Sequence, residues 1–289
     1  MPLLLAALIM FGVEQALGWR IALIVPGIMM LIVGVMYWTL TQDSPQGDFK
    51  ALRAQGIAVG NDKHGGMAIL LHAAANYRVW ILFGAYAACF GIEIFIHNIV
   101  AMYYVEHFSF GLKEVGLAAG IFGLLALFAR ALGGIVSDKI ALKQGLDGRT
   151  RVLFLMILLE GVFLMAFAAM QTPMLAILVM TLFALFTHIA CGATYALVPF
   201  IDRDAWGGVA GIIGAGGNVG AVAAGFLLKG MLDIQSCLMI LGALVVIAAS
   251  LVLMIRFSVE HKQKEQQLFE QALSQRALDS ASPVLDARH

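Results

Sequence analysis

The sequence predicts an all-α integral membrane protein with about seven complete transmembrane helices, and three observations lead to that fold class. Hydrophobic residues make up 61% of the 289-residue chain and charged residues only 12%, about half the charged share of a soluble domain. The charged residues are clustered, which leaves nearly charge-free segments of about 22 residues or more. A helix of that length crosses the roughly 30 Å hydrocarbon core of a bilayer.

Seven segments meet this length criterion. The run 152–201 holds only Glu160 and is too long for one helix, and Gln171-Thr172-Pro173 divides it into two. The other five segments are 21–42, 79–105, 115–137, 207–228 and 234–255. A shorter apolar segment, 2–13, lacks the basic flank of a signal peptide. We expect it to be the end of an eighth helix, the alternative being a re-entrant segment.

The helices divide into two groups around one long polar linker. We expect 1–42 to end an N-terminal bundle, 43–77 to form a cytoplasmic linker loop, 78–257 to form a six-helix C-terminal bundle, and 258–289 to form a solvated, partly disordered cytoplasmic tail. With this topology 14 of the 18 Lys and Arg residues lie on the cytoplasmic side and three lie opposite. The positive-inside rule therefore predicts a multi-pass protein of the cell (inner) membrane with a cytoplasmic C-terminus.

The sequence offers little support for an enzyme. It contains no zinc-ligand spacing, P-loop or nucleophile elbow, and its three cysteines, Cys89, Cys191 and Cys237, lie in predicted transmembrane helices, as small apolar residues do. We therefore expect no catalytic residue, metal, cofactor or nucleic-acid partner.

Arg130 is the most informative single residue. It lies in a predicted transmembrane helix about 10 Å from its cytoplasmic end at Ser137, where a charge costs several kcal/mol. The side chain either extends to the interface or faces the bundle interior and binds a ligand. A planar guanidinium with several donors fits a flat oxyanion such as nitrate.

Four residues form one predicted stripe on a neighbouring helix: Tyr86, Phe90, Glu93 and His97 follow one another at helical spacing. A lipid-facing stripe does not carry Glu and His, so we expect this face to line an aqueous path. Glu93 and His97 are candidates for proton coupling. The alternatives are that Glu93 forms a structural pair with a cation and that His97 hydrogen-bonds across helices.

Two more polar residues, Glu160 and His188, lie near the middle of their own predicted helices. We expect both to hydrogen-bond across helices, with a proton relay through Glu160 as the alternative.

The segment 211–220, GIIGAGGNVG, combines dense glycine with one amide. Small residues let helices or a ligand approach the backbone closely in membranes. We expect Gly216, Gly217 and Asn218 to contribute to substrate binding, the alternative being a helix–helix seam.

Counted from the cytoplasmic ends, Tyr86 and Arg130 lie about 10 Å deep and Phe90 and Asn218 about 16 Å, close to one level near the midplane, where carriers bind substrate. Glu93, about 21 Å deep, lies toward the outer half.

A different motif lies at a predicted cytoplasmic turn. It begins with Gly134 and Asp138 and ends with Arg149 and Arg151. Asp138 can pair with a basic residue or cap a neighbouring helix, so we expect a structural gate at this turn.

These motifs carry a family resemblance. The turn motif resembles the cytoplasmic loop motif of the major facilitator superfamily. GAGGNVGAV at 214–222 resembles the second nitrate signature of the nitrate/nitrite porter family, and so do GWRIALIVPG at 18–27, NYRVWIL at 76–82 and CFGIEIFIHNIVAMYY at 89–104. The resemblance extends from about Gly18 to Arg256.

The resemblance implies a major-facilitator-type bundle in which this chain supplies helices 6–12 of twelve. It implies that Arg130 is the C-half arginine of an anion clamp, that Tyr86 and Phe90 stack on the anion, and that Asn218 belongs to the nitrate signature. The arginine and signature of the N-terminal half would come from a missing half, so a truncated module that does not transport remains an alternative.

The resemblance also implies transport of nitrate or nitrite. An anion that enters against an inside-negative potential costs roughly 2.3 kcal/mol per 100 mV. We therefore expect proton-coupled uptake, with nitrate/nitrite exchange as the alternative.

Overall fold

The computed structural model describes residues 4, 7–9, 12–44, 47–56, 66–230 and 233–281. Within these ranges the regular structure is helical, and the predicted all-α membrane fold is confirmed. A π-helical turn, Ala87–Gly91, joins α4 to α5, and a 3-10 turn, Val198–Phe200, follows α7. The α-helices are α1 Gln15–Leu40, α2 Phe49–Ala54, α3 Gly66–Ala74, α4 Tyr77–Tyr86, α5 Ile92–Phe108, α6 Leu112–Ala168, α7 Pro173–Leu197, α8 Trp206–Gly230, α9 Ile234–Val252 and α10 Val259–Ala281.

Six helical segments in the described ranges are long and apolar enough to cross a membrane, and one of them, α6, comprises two spans. Its 57 residues would measure about 85 Å if they were straight. Gly145 interrupts the helix with φ 61° and ψ −148°, a conformation that glycine adopts readily. Arg149 Nη1 lies 2.5 Å from Asp138 Oδ1, although 11 helical residues would separate them by about 16 Å. The chain therefore reverses at Gly145, which gives the seven predicted spans.

The core lies inside the bundle formed by α4 to α9. Its large, fully buried side chains include Tyr104, Phe122, Phe167 and Phe183. The predicted break between two spans is confirmed, since α6 ends at Ala168 and α7 begins at Pro173.

Helix α1 contributes almost nothing to this core. Only 6% of its most apolar stretch, within Leu17–Leu40, is buried, and large side chains such as Trp38 and Met30 are exposed along its length. The apolar surface of α1 therefore needs lipid or other helices around it. The expected partial helix at 2–13 falls largely outside the described residues.

The expected linker loop is partly helical, which corrects the prediction. Ala73 of α3 is fully buried, and a Cβ on Gly208 of α8 would lie 2.9 Å from the carbonyl oxygen of Ile69. Thus α3 packs closely against the start of α8, because a glycine there admits the α3 backbone. The glycine-rich stretch 57–65 lies outside the described residues.

The prediction of a solvated, partly disordered tail is wrong for the beginning of α10. Glu265 is buried and accepts two hydrogen bonds from Arg203, Nε to Oε1 at 2.9 Å and Nη2 to Oε2 at 2.5 Å. Hydrogen bonding to Glu265 raises the pKa of Arg203. Lys262 Nζ lies 2.6 Å from Asp147 Oδ2, and His261 Nε2 lies 3.0 Å from the Phe200 carbonyl. These three contacts fasten α10 to the end of the bundle that carries the α6 turn.

Candidate functional site

The centre of the site is an ion pair between Arg130 of α6 and Glu93 of α5. Arg130 Nη2 lies 2.7 Å from Glu93 Oε1 and 2.6 Å from Oε2. The glutamate side chain is only 6% exposed, whereas the arginine side chain is 38% exposed. The carboxylate is thus enclosed by the bundle, and the guanidinium is accessible from one side.

This contact corrects the sequence-based depths. Counting from helix ends separates Arg130 and Glu93 by about 11 Å along the membrane normal, yet their side chains touch. The helix continues past Ser137 as far as Gly145, so the charges that begin at Asp138 do not mark its end. Counted from Gly145, Arg130 lies about 22 Å deep, at nearly the same level as Glu93.

Aromatic rings form one wall of the site. The Arg130 guanidinium carbon lies 5.1 Å from the centre of the Phe90 ring, within cation–π range. The Phe90 ring stacks on Tyr86 at 5.0 Å with an interplanar angle of 18°. Tyr195 of α7 meets Tyr86 edge-on at 5.1 Å.

Tyr195 is a site residue that the sequence analysis missed. It follows His188 by seven residues and Cys191 by four, so the three lie on one face of α7. That spacing was the available signal. It identifies a face but cannot say that the face adjoins Tyr86.

The glycine-rich helix α8 packs directly against these rings and against the π-turn. A Cβ on Gly217 would collide with the Phe90 ring and would lie 3.2 Å from Tyr86 Cδ1, and a Cβ on Gly91 would lie 2.8 Å from Gly220 Cα. A Cβ on Gly216 would likewise collide with the carbonyl oxygen of Phe83. The glycines of α8 therefore form a helix–helix seam in this structure, and π-turns of this kind occur often at functional sites.

Asn218 lies apart from this cluster. Its side chain is on the exposed side of α8, while Gly216 and Gly217 are buried. Among the described residues no hydrogen bond of Asn218 connects it to Arg130. Its contribution to an anion site remains a prediction.

The buried side of Glu93 faces α7. His188 is fully buried, with Nδ1 3.3 Å from Glu93 Oε2 and Nε2 3.0 Å from the Phe122 carbonyl oxygen. Cys191 Sγ lies 3.6 Å from Glu93 Oε2. On the helix of Glu93 itself, His97 Nε2 lies 3.9 Å from Oε1. Glu93 thus connects Arg130 to two histidines.

Glu160 departs from expectation, whereas His188 does not. The predicted interhelical hydrogen bond exists for His188, whose partner Phe122 is on α6. Glu160 is also fully buried, and Thr187 of α7 is a polar side chain beside its carboxyl group, but within the described residues neither carboxyl oxygen has a hydrogen-bond partner of good geometry. The position of Glu160 in the middle of its span was enough to predict burial. Its hydrogen-bond partner could not be predicted, because that depends on which atoms the neighbouring helices bring close.

The turn motif forms a second, separate cluster. Arg149 pairs with Asp138 at 2.5 Å and lies 4.7 Å from the centre of the Phe200 ring, and Arg151 donates to Gln144 at 3.0 Å. A Cβ on Gly134 would meet open space.

The closely packed glycine of this stretch is Gly133, one residue before Gly134. Its Cβ would collide with the carbonyl oxygen of Ile189, and a Cβ on Gly192 would collide with that of Arg130. This close approach of α6 and α7 holds the backbone of Arg130 beside α7.

Comparison with known proteins identifies the class. Residues 1–146 and 81–285 match the family model of the Major Facilitator Superfamily. The chain therefore belongs to the major facilitator superfamily of membrane transporters.

Individual relatives narrow the family. The chain is 36% identical to the high affinity nitrate transporter 2.5 of Arabidopsis thaliana, over 77% of this chain and 44% of that protein. It is 36% identical to the nitrate transporter 2.2 of Chlamydomonas reinhardtii, over 76% of this chain and 43% of that protein. It is 25% identical to the nitrate/nitrite transporter NrtP of Nostoc punctiforme, over 72% of this chain and 54% of that protein.

These matches confirm the resemblance to the nitrate/nitrite porter family, and each of these relatives is named as a transporter, not as an enzyme. The chain spans about half the length of the curated relatives it matches.

Proposed function

We propose that the chain forms the C-terminal part of a secondary active transporter that takes up nitrate, nitrite or both. The observation that carries the proposal is the half-accessible guanidinium of Arg130, which lies over an aromatic ring inside a membrane bundle. A cation in this position attracts an anion from an aqueous path, and its planar donors suit a planar oxyanion.

The aromatic wall supports a planar substrate. Phe90 and Tyr86 are stacked beside Arg130, so a flat anion can lie against a ring while Arg130 binds its oxygens. Helix α8 supports the proposed site from behind, because Gly216 and Gly217 leave the space that Phe83 and Phe90 occupy. Asn218, on the exposed side of α8, is a proposed donor to an anion that approaches from that side.

The proposed carrier includes a second helical bundle. The apolar surface of α1 is almost wholly uncovered, and the relatives are about twice as long as the matched segment. A second bundle, in the same polypeptide or in another, would cover part of α1 and face Arg130, while lipid covers the rest. We call this assembly the complete carrier. Its proposed location is the cell (inner) membrane, with α10 on the cytoplasmic side.

Proton coupling is the proposed driving force, with Glu93 as the proton-binding group and His97 beside it. The contact of a titratable carboxylate with the substrate-binding arginine favours coupling over simple exchange. A nitrate/nitrite exchanger needs no titratable group at this position.

Uptake in proteoliposomes tests the function. Vesicles that contain the complete carrier should accumulate labelled nitrate when an inward proton gradient is imposed and should do so much less without it. Uptake that ignores the gradient and requires nitrite inside the vesicle would instead establish exchange. If the vesicles take up no nitrate under either condition, the protein is a membrane module that does not transport.

A further inference from the structure

The arginine proposed to bind the anion already has a carboxylate on it. Arg130 Nη2 contacts both oxygens of Glu93, at 2.7 and 2.6 Å. An anion that approaches the guanidinium therefore meets the negative charge of Glu93, which is almost fully enclosed. Two like charges at such a short distance repel strongly where water is excluded.

His188 stands on the other side of the same carboxylate, and its two ring nitrogens face only acceptors. Nε2 lies 3.0 Å from the Phe122 carbonyl oxygen, and Nδ1 lies 3.3 Å from Glu93 Oε2. A neutral imidazole donates from one nitrogen only. If Nε2 carries the proton, the lone pair of Nδ1 points toward the Glu93 carboxylate. Two acceptors then face each other, and one added proton would turn their contact into a hydrogen bond.

One added proton changes the charge of the cluster in the direction that an anion needs. Without it, Arg130 and Glu93 neutralise each other, and a bound nitrate would leave a buried negative charge. With a proton between Glu93 and His188, the cluster has a net charge of +1, and a bound nitrate makes it neutral. Buried charge without compensation is strongly disfavoured, so proton and anion favour each other's binding.

We infer that Glu93 and His188 together hold the coupling proton, and that this proton releases Arg130 from Glu93 so that it can bind the anion. The inference rests on the proposed function and adds His188 as a proton-binding residue. The proton comes from water on the outer side and resides between Glu93 Oε2 and His188 Nδ1. It returns to cytoplasmic water when the anion leaves, and Glu93 then pairs again with Arg130.

Other titratable groups face Glu93 from each element packed around it. His97 lies on α5 itself at 3.9 Å, and Cys191 lies on α7 at 3.6 Å. The second arm of α6 adds the buried carboxyl of Glu160, and the π-turn adds the buried thiol of Cys89, which lies beside Cys191. Helix α8 has no Asp, Glu, Lys, Arg or His before Lys229. His188 differs from His97 because it is fully enclosed and because its second nitrogen is fixed by a backbone carbonyl.

Nitrate binding at several pH values tests the inference. Titration calorimetry on the purified complete carrier should give a nitrate Kd that rises by up to tenfold per pH unit between pH 6 and 8, as linkage to one proton requires. Glu93→Gln removes both the competing charge and the proton site. Its Kd should be independent of pH and at least tenfold lower than that of the unmodified carrier at pH 8.

His188→Gln separates the histidine from the carboxylate. An amide can still donate to the Phe122 carbonyl but cannot accept a proton, so the Kd should stay at its weak, high-pH value across this range. His261→Gln is the matched control, because His261 Nε2 also lies 3.0 Å from a backbone carbonyl, that of Phe200, and lies far from the cluster along the chain. This control should keep the slope of the unmodified carrier.

The outcomes distinguish the inference from the proposed function. Nitrate binding with no pH dependence would refute the inference and leave the proposed anion transport intact, with exchange as its driving force, while no nitrate binding at any pH would refute both. A slope that survives in His188→Gln but disappears in His97→Gln would assign the proton to His97. If His188→Gln does not insert in the membrane, the result for Glu93→Gln still decides whether the Glu93 carboxylate and the anion compete for Arg130.

Discussion

Two arginines of the bundle make the same pair of contacts in opposite surroundings. Arg130 binds the carboxylate of Glu93 and lies 5.1 Å from the Phe90 ring, and Arg149 binds the carboxylate of Asp138 and lies 4.7 Å from the Phe200 ring. In the first pair the carboxylate is enclosed and the arginine is 38% exposed. In the second pair the arginine is 12% exposed and the carboxylate 66% exposed.

The difference indicates what each pair can do. A ligand can reach Arg130 and compete with Glu93, so the first pair is suited to opening and closing around a substrate. Arg149 is covered by the ring of Phe200 and approaches Ser137 Oγ at 3.4 Å and the Ala196 carbonyl oxygen at 3.5 Å. It therefore fastens the α6 turn to the end of α7.

The largest effect is expected when Arg130 is replaced by Lys. Lysine keeps the charge but loses the planar donors and the stacking on Phe90, so nitrate uptake should fall by roughly tenfold or more. Uptake in proteoliposomes at equal protein content measures this. Arg20→Lys is the control, because Arg20 also lies over a ring, that of Trp19 at 5.5 Å, but on exposed α1. Equal uptake by both variants would remove Arg130 from the site.

A smaller effect is expected when Gly217 is replaced by Ala. The added methyl group would collide with the Phe90 ring and push it away from Arg130. Overpacking of this kind costs about 1–3 kcal/mol, so thermal stability should fall and nitrate should bind several-fold more weakly. Gly225→Ala on the same helix meets open space and should change neither. If the two variants behave alike, the contact of α8 with Phe90 does not support the site.

The Arg149 pair should affect stability and transport rate but not anion affinity. Arg149→Lys loses the stacking on Phe200 and the contacts to α7, at a cost of about 1–2 kcal/mol. Thermal unfolding should shift to lower temperature while the nitrate Kd stays unchanged. A weaker Kd in Arg149→Lys would contradict the separation of the two clusters.

The smallest effect is expected where α10 is fastened to the bundle. Glu265→Gln removes the charge that binds Arg203, and because the arginine is more than half exposed the loss is about 0.5–1 kcal/mol. Hydrogen exchange of residues 259–270 should become faster, with little change in uptake. Exchange that is equally slow in the variant would show that α10 is held by other contacts, such as Lys262 with Asp147.

The sequence by itself determined the class of fold and the number of membrane spans. Charge-free segments of about 22 residues, the break at Gln171-Thr172-Pro173 and the lone Arg130 are local features, and each has a direct physical cost or length requirement in a bilayer. They predicted seven spans and an arginine within the membrane that either faces the bundle interior or extends to the interface. The same local features do not specify how the helices are arranged around one another.

The tertiary structure decided which side chains contact one another. Glu93 and Arg130 are 37 residues apart, Glu93 and Cys191 are 98 apart, and Lys262 and Asp147 are 115 apart. From the sequence alone, Glu93 could be either a proton-binding site or a structural partner of a cation. The choice stayed open because a carboxylate's role depends on the neighbours that helix packing brings within a few ångströms. The glycine contacts of Gly217 with Phe90 and of Gly192 with Arg130 set that packing, because a missing side chain has an effect only where another helix comes close enough to need the space.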